Sequence, residues 1–160
     1  MKPRPPSLRM KKRYVLGRIV PPWRNPDART LSTAVHEAAT SLWGDAATSR
    51  MQPSVVVAER DLFIVRCRRG TEKDLLTALS TVIIVNDEPV ALRTLATSGT
   101  MLGLRHKSTR YYQEVREEER IWKNQPTRMY RYQGQKVDLL ERGIKGQNVV
   151  FLTEEDIEEL

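Results

Sequence analysis

Cysteine is almost missing from this chain: Cys67 is the only one in 160 residues. No intrachain disulfide can form, so a packed core has to hold the fold, and a reducing cytoplasm is the expected location. Long apolar runs are missing too. No stretch approaches the ~18 residues that a membrane-spanning helix requires, so no membrane partner is expected. The segment from Met1 to Lys12 is basic and broken by prolines, with no apolar stretch behind it, which is not the pattern of a secretory signal. Histidine is scarce, with His36 in a polar part of a helix and His106 in a basic run. Those two and Cys67 do not stand at ligand spacing, so no zinc site is read and no bound metal or cofactor is expected in the chain itself. Ser98 and Thr100 have no base at recognisable spacing and read as parts of a turn, with Gly99 expected to take a positive φ. No catalytic residue is read from the sequence.

Positive charge is abundant. The net charge is +7, and its distribution says more than its total. Lys2, Arg4, Arg9, Lys11, Lys12, Arg13, Arg18 and Arg24 all precede the first acid, Asp27, while Glu154, Glu155, Asp156, Glu158 and Glu159 crowd the other end. A basic arm of this kind is an electrostatic footprint for nucleic acid, although its first residues also fit a solvated tail. A hydrophobic content of 39% supports one domain with a real core and an appendage.

The predicted elements follow from spacing. Tyr14–Val20 reads as a strand stopped by Pro21-Pro22. Leu31, Ala34, Val35, Ala38, Ala39 and Leu42 fall at helical spacing, with Gly44 as the closing cap and residues 45–52 as a loop. Residues 54–58 and 62–68 form a hairpin around Glu59-Arg60-Asp61. Thr71 with Asp74 resembles a capping box for a helix whose stripe is Leu75, Leu76, Ala78, Leu79, Val82 and Ile83. Val90–Thr97 is the last strand of the core. The order β-α-β-β-α-β predicts an α+β fold, a ferredoxin-like split sandwich with an antiparallel sheet, both helices on one face and the first and third strands central. Three regions result: a disordered arm over 1–10, a ferredoxin-like RNA-binding and assembly domain over 11–107, and an appendage over 108–160. The appendage is read as a helix over Ser108–Gln125 ended by Pro126, then short strands at 129–132, 136–140 and 148–152, with Thr153 capping a last acidic turn.

Alternation along the strands places Phe63, Val65 and Cys67 toward the helices. The opposite, open face then carries Leu16, Ile64 and Leu95 beside Arg18, Arg66, Arg68 and Arg93. Such a face is too apolar to stay bare, so Leu16, Ile64 and Leu95 are candidate partner-interface residues. Trp122 joins them as an anchor on the expected appendage helix.

Several of these features occur together in one family. The stretch RCRRGTEKDLLTALSTVIIVNDEPVALRTLATSGT (Arg66–Thr100) ends a strand, makes a helix and a turn, and closes a further strand on Ser98-Gly99-Thr100. With RYVLGRIV (Arg13–Val20) upstream, residues 10–107 resemble protein component 2 of archaeal and eukaryotic ribonuclease P. The resemblance implies a subunit that supports a large catalytic RNA, which removes 5′ leaders from precursor tRNA with Mg²⁺. It also implies pairing with the larger barrel-type protein subunit of that enzyme. The Asn86-Asp87-Glu88-Pro89 turn is more acidic than the resemblance leads one to expect, which argues against RNA touching it.

The candidate RNA-binding residues are Lys11, Lys12, Arg13, Arg18, Arg66, Arg68, Arg69, Arg93, Arg105, His106 and Lys107. The third strand, LFIVRCRR, lacks the Gly-aromatic pattern by which a sheet stacks bases, so the expected mode is a grip on phosphates and shape. The first and third strands, taken as running the same way, would hold Lys11–Arg13 apart from Arg66–Arg69, so one continuous patch is not expected. Two other readings stay open on the residues alone: another RNA-binding module of this fold, such as a ribosomal or tRNA-modification accessory protein, and a small-ligand regulatory domain.

Overall fold

The computed structural model describes residues 5–111, 115–132, 136–143 and 146–158. They belong to two compact units, residues 1–106 and 107–160. In the first unit a short 3-10 turn (Pro6–Leu8) leads into β1 (Lys12–Val20), α1 (Ala28–Met51), β2 (Ser54–Glu59), β3 (Leu62–Arg68), α2 (Glu72–Thr81), a two-strand hairpin of β4 (Ile84–Val85) and β5 (Glu88–Pro89), then β6 (Ala91–Ser98). The main sheet has the order β2-β3-β1-β6 with antiparallel pairs throughout. This is the ferredoxin-like arrangement, with β6 as the fourth strand. The N-terminal arm is described from residue 5; residues 1–4 lie outside the described residues.

One face of the sheet carries the core. Val15 and Ile19 of β1, Phe63, Val65 and Cys67 of β3 and Leu92 of β6 pack with Leu31, Val35 and Ala39 of α1 and Leu75, Ala78 and Leu79 of α2. Gly17 is required inside this layer. A Cβ there would stand 2.3 Å from Phe63 Cζ, so the Phe63 ring lies flush on the β1 backbone. Burial among these apolar groups pushes the Cys67 thiol above its ordinary pKa.

The helices depart from the sequence reading in instructive ways. α1 starts earlier than Leu31, because the Asp27 side chain accepts the Thr30 N–H at 2.7 Å and caps it. Gly44 does break the helix, with φ 77°, but residues 45–51 are helical again and not a loop. The Thr48 hydroxyl donates to the Gly44 carbonyl, and Met51 is buried in the core, so the second segment gains a packing anchor. At α2 the expected capping box is not formed. The Thr71 hydroxyl donates to the Arg68 carbonyl, and Glu72 accepts the Gly70 N–H. Ile83 leaves the apolar stripe and is exposed. Gly99 does not adopt a positive φ. Instead Ser98 Oγ accepts the Thr100 N–H and Thr100 Oγ1 accepts the Gly103 N–H, so Ser-Gly-Thr starts the helix α3 (Met101–Tyr111).

The second unit corrects the expected helix over Ser108–Gln125. α3 ends at Tyr111, residues 112–114 lie outside the described residues, and Arg116–Trp122 is a strand, β7. It turns back at Lys123 and Asn124, both with positive φ, into β8 (Gln125–Arg131). β9 (Lys136–Gly143) and β10 (Gly146–Thr153) complete a four-stranded antiparallel sheet in the order β10-β9-β8-β7. Glu and Arg in REEERIW favour a helix by propensity, but the left-handed Lys123-Asn124 turn suits a tight hairpin. As an edge strand, β7 also keeps those charges in solvent. Pro126 is the second residue of β8, at the pair with Ile121. Met129, Val137 and Leu139 form a small core, with Trp122, Val150, Leu152 and Ile157 packed on it. Thr153 caps α4 (Glu154–Glu158) as its sequence indicated: Asp156 accepts the Thr153 N–H at 2.7 Å and Thr153 Oγ1 accepts the Asp156 N–H. That hydrogen bonding holds the Asp156 carboxyl below its ordinary pKa.

Two outcomes follow. Gly17→Ala should destabilise the first unit by ~1–3 kcal/mol in denaturant unfolding through overpacking against Phe63. Adding Phe63→Leu should recover part of the loss caused by Gly17→Ala, and full additivity would contradict the contact. In the second unit the Glu141 carboxylate accepts from Lys123 Nζ at 3.2 Å and from Trp122 Nε1 at 2.6 Å, which hold its pKa below the ordinary 4.5. The folded-state value is the lower one, so this contribution is complete above the ordinary value and fades as pH falls through the folded one. In a Trp23→Phe/Trp43→Phe chain, Trp122 fluorescence should show weaker resistance to denaturant on acidification. Glu141→Gln should remove that part of the pH dependence.

Candidate nucleic-acid interface

The candidate site is built by the direction of β1 against β3. These strands run antiparallel, with Lys12 opposite Arg68, Arg13 opposite Cys67 and Tyr14 opposite Arg66. The expectation that the two run the same way is therefore corrected, and the start of β1 lies beside the end of β3. The Arg69 N–H donates to the Lys11 carbonyl at 2.9 Å and continues the pairing beyond the ladder. Directly opposed residues share a face, so Lys12, Tyr14, Arg66 and Arg68 line one rim of the open face. Lys11, Arg68 and Arg69 are exposed there, and Lys12, Tyr14 and Arg66 are half-buried.

Arg13 points the other way and is held. Its Nε stands 3.1 Å from Glu72 Oε1 at the start of α2. Its guanidinium also lies against Gly99, where a Cβ would come within 3.1 Å of Nη1. β6 reaches the same end of the sheet, since Ser98 pairs with Tyr14. The rim therefore gathers the start of β1, the end of β3, the Ser-Gly-Thr turn and the first turn of α3. Arg105, His106 and Lys107 are exposed along that helix. Tyr14 is the rim aromatic that the sequence reading passed over as an ordinary strand residue. Its partnership with Arg66 was invisible until the strand direction was known.

Two candidates are not part of this surface. Arg18 is only 2% exposed, and its Nε lies 2.8 Å from Asp61 Oδ2. It cannot reach a phosphate without breaking a buried ion pair. Arg93 is half-buried directly opposite Arg18, well away from the rim. The partner-interface candidates are also revised. Leu16 and Ile64 are 1% and 2% exposed, so they are covered within the chain itself. Leu95 is half-buried as the extra residue of a bulge between the Leu16–Ala96 and Gly17–Thr94 pairs. Trp122 stands on a strand of the second unit, not on a helix, and its indole is tied to Glu141.

The charge divides with the units. Residues 1–106 hold 17 Lys and Arg against 9 Asp and Glu, whereas residues 107–160 hold 10 against 11. The positive field belongs to the first unit. Among the described residues no group of three or more His, Cys, Asp or Glu side chains is arranged to hold a metal ion, and no helix is long and apolar enough to cross a membrane.

A ferredoxin-like α+β domain with a basic rim at one end of its sheet is thus extended by a near-neutral second sheet. Residues 13–109 match the model of the Rpp14/Pop5 family. The chain belongs to that family, and the match covers the first unit from Arg13 onward and most of α3. The full length has relatives too. The chain is 52% identical over 159 residues to ribonuclease P protein component 2 of Methanoculleus marisnigri, covering 99% of each. It is 42% identical over 159 residues to the protein of the same name from Methanosphaerula palustris, again with 99% of each covered. Among solved structures, a chain of the cryo-EM structure of yeast ribonuclease MRP aligns with a TM-score of 0.49 and 15% identity, over 65% of this chain and 93% of that one.

The buried pair and the rim should separate in experiment. Arg18→Ala leaves Asp61 without its buried counter-charge, so unfolding free energy should drop by ~3–5 kcal/mol. Arg68→Ala/Arg69→Ala should leave stability within about 0.5 kcal/mol of the parent. Equal melting curves for the Arg18→Ala and parent chains would contradict the structural role of Arg18.

Proposed function

We propose that this chain is a protein subunit of ribonuclease P, working in tRNA processing within a ribonucleoprotein. The observation that carries the reading is the basic rim, which antiparallel pairing assembles from two sequence-distant clusters in a chain of this family. Lys11, Lys12, Arg66, Arg68 and Arg69 provide donors and positive charge over a short arc, the chemistry that neutralises closely spaced phosphates. Arg13, fixed by Glu72, adds a pre-oriented guanidinium at the turn before α3. A rigid strand-end scaffold suits the shape of a folded RNA and does not read base edges.

In this reading the large RNA performs the hydrolysis of the 5′ leader of precursor tRNA with Mg²⁺, and no residue of this chain takes part in bond breaking. The chain holds that RNA in its active conformation by lowering the repulsion between phosphates. A larger barrel-type protein subunit is its protein partner, and the particle works in the cytoplasm. Support for these finer points comes from the family and from the charge distribution.

The test is binding and reconstitution with ribonuclease P RNA. If about six phosphates are neutralised, log K should fall with log salt at a slope of about −4 to −5. Arg68→Ala/Arg69→Ala should flatten the slope by about 1.5 to 2 and reduce leader removal at moderate salt, with recovery at raised Mg²⁺. A parent slope shallower than about −1 would refute the phosphate grip. Co-purification of a different RNA in place of ribonuclease P RNA would assign the chain to another RNA-binding role.

A further inference from the structure

The segment joining α2 to β6 belongs neither to the helix-side packing alone nor to the basic rim. It folds as the β4–β5 hairpin, with Asn86 at φ 52° and Asp87 at φ 58° in its turn. Two successive left-handed residues suit a tight two-residue hairpin, and Asn and Asp tolerate that conformation. The hairpin is firmly seated. Val85 and Val90 are buried in the core, the Val90 N–H donates to the Ile83 carbonyl at 3.0 Å, and Glu88 makes an ion pair with Arg24.

On this anchored element Ile83 and Ile84 are 67% and 58% exposed. A single exposed apolar side chain needs no explanation, but two adjacent isoleucines entering the hairpin, with exposed Asp87 in its turn, give this end of the sheet an apolar tip with an acidic group. Being anchored, the tip would lose little conformational freedom on binding. Its position separates it from the rim. Val20 pairs with Ala91 next to the hairpin, whereas Lys12 pairs with Arg68 at the rim. The two sites stand at opposite ends of β1, about 26 Å apart at ~3.3 Å per residue. The exposed Asp87 carboxylate repels phosphate and favours a basic protein surface over nucleic acid there.

We propose that this hairpin is a docking surface for a second protein subunit of the same particle, one that presents an apolar socket bordered by Lys or Arg. The proposal rests on the reading of the chain as a ribonuclease P subunit and assigns a surface to protein pairing. Ile83 and Ile84 enter the socket, and Asp87 meets its basic border, while Glu88 stays with Arg24. The charges set orientation and encounter rate, while the isoleucines supply most of the apolar contact.

The experiment uses the full chain, the purified larger protein subunit of ribonuclease P from the same organism and, in separate titrations, the ribonuclease P RNA. Ile83→Asp/Ile84→Asp and Asp87→Asn change exposed side chains, and Asn keeps the left-handed turn, so both should melt like the parent. The double variant should bind the protein subunit at least tenfold more weakly. Asp87→Asn should bind it more weakly and with a flatter salt dependence. Both should bind RNA like the parent, while Arg68→Ala/Arg69→Ala should show the reverse pattern. Parent-like protein binding by the double variant overturns the inference and leaves the RNA reading intact. Loss of RNA affinity in the double variant overturns it too, by giving the hairpin to RNA. A parent chain that binds neither the RNA nor the protein subunit overturns the functional reading and the inference with it.

Discussion

The antiparallel ladder between β1 and β3 is the constraint on which the rest of this protein depends. It is the centre of the main sheet, with Lys12 through Arg18 paired to Arg68 through Leu62. Gly17 opposite Phe63 brings the ring onto the β1 backbone and fixes the helix-side layer. Arg18 opposite Leu62 places its guanidinium against Asp61 at the β2–β3 turn. At the other end the ladder closes Lys12 on Arg68, and Arg69 on Lys11. A shift of one residue would turn every one of these side chains to the wrong face. Core packing, the buried ion pair and the basic rim are therefore set by one register.

The same register carries a tension. Like charges directly opposed across strands are unfavourable by a few tenths to about 1 kcal/mol each, and the ladder opposes Lys12 to Arg68. Arg18 faces Arg93 on the other side, but Asp61 offsets that pair within the chain. At the rim, Glu72 is engaged with Arg13, while Lys11, Arg68 and Arg69 stay in solvent. Repulsion concentrated at an exposed edge is what a polyanion would relieve, so a polyanion bound there would gain both attraction and release of repulsion already present in the fold.

The β-α-β-β-α-β order was legible in the sequence because each element has a strong signal: an apolar run passing into alternation in Leu62–Arg68, helical spacing in α1 and α2, and turn residues between them. The two helix starts were harder. Asp27 caps α1 from within a stretch that reads as a proline-rich loop, and Thr71 bonds back to Arg68 and not forward into α2. The continuation of α1 past Gly44 depends on the buried Met51, a tertiary contact that local pattern does not encode. The largest difference lies at Arg116–Trp122, where helix-favouring Glu and Arg residues occupy an edge strand. The signal for that hairpin was the Lys123-Asn124 turn, a weaker mark than a glycine-containing pair. The basic residues of the rim were all identifiable, but Tyr14 and the assembly itself were not, because proximity follows from strand direction and not from spacing along the chain. Arg18 shows the converse: its alternation with Leu16 placed it on the open face, and only Asp61 reveals that it is buried and paired.

Strand direction also explains why the two ends of the first unit differ in character. In an antiparallel sheet both ends of each strand are turns or caps, so one end can collect residues from β1, β3 and β6 while the other collects the loop at Arg24 and the β4–β5 hairpin. The core between them is apolar and closely packed, and it keeps the two surfaces at a fixed separation. A charged group on one end is then more than two Debye lengths from the other at physiological salt, where that length is ~8 Å. Basic residues can accumulate at the rim without cancelling the acidic group of the hairpin, and the hairpin can carry carboxylates without cancelling the positive field at the rim. Electrostatic independence of the two ends follows from the length of β1 alone.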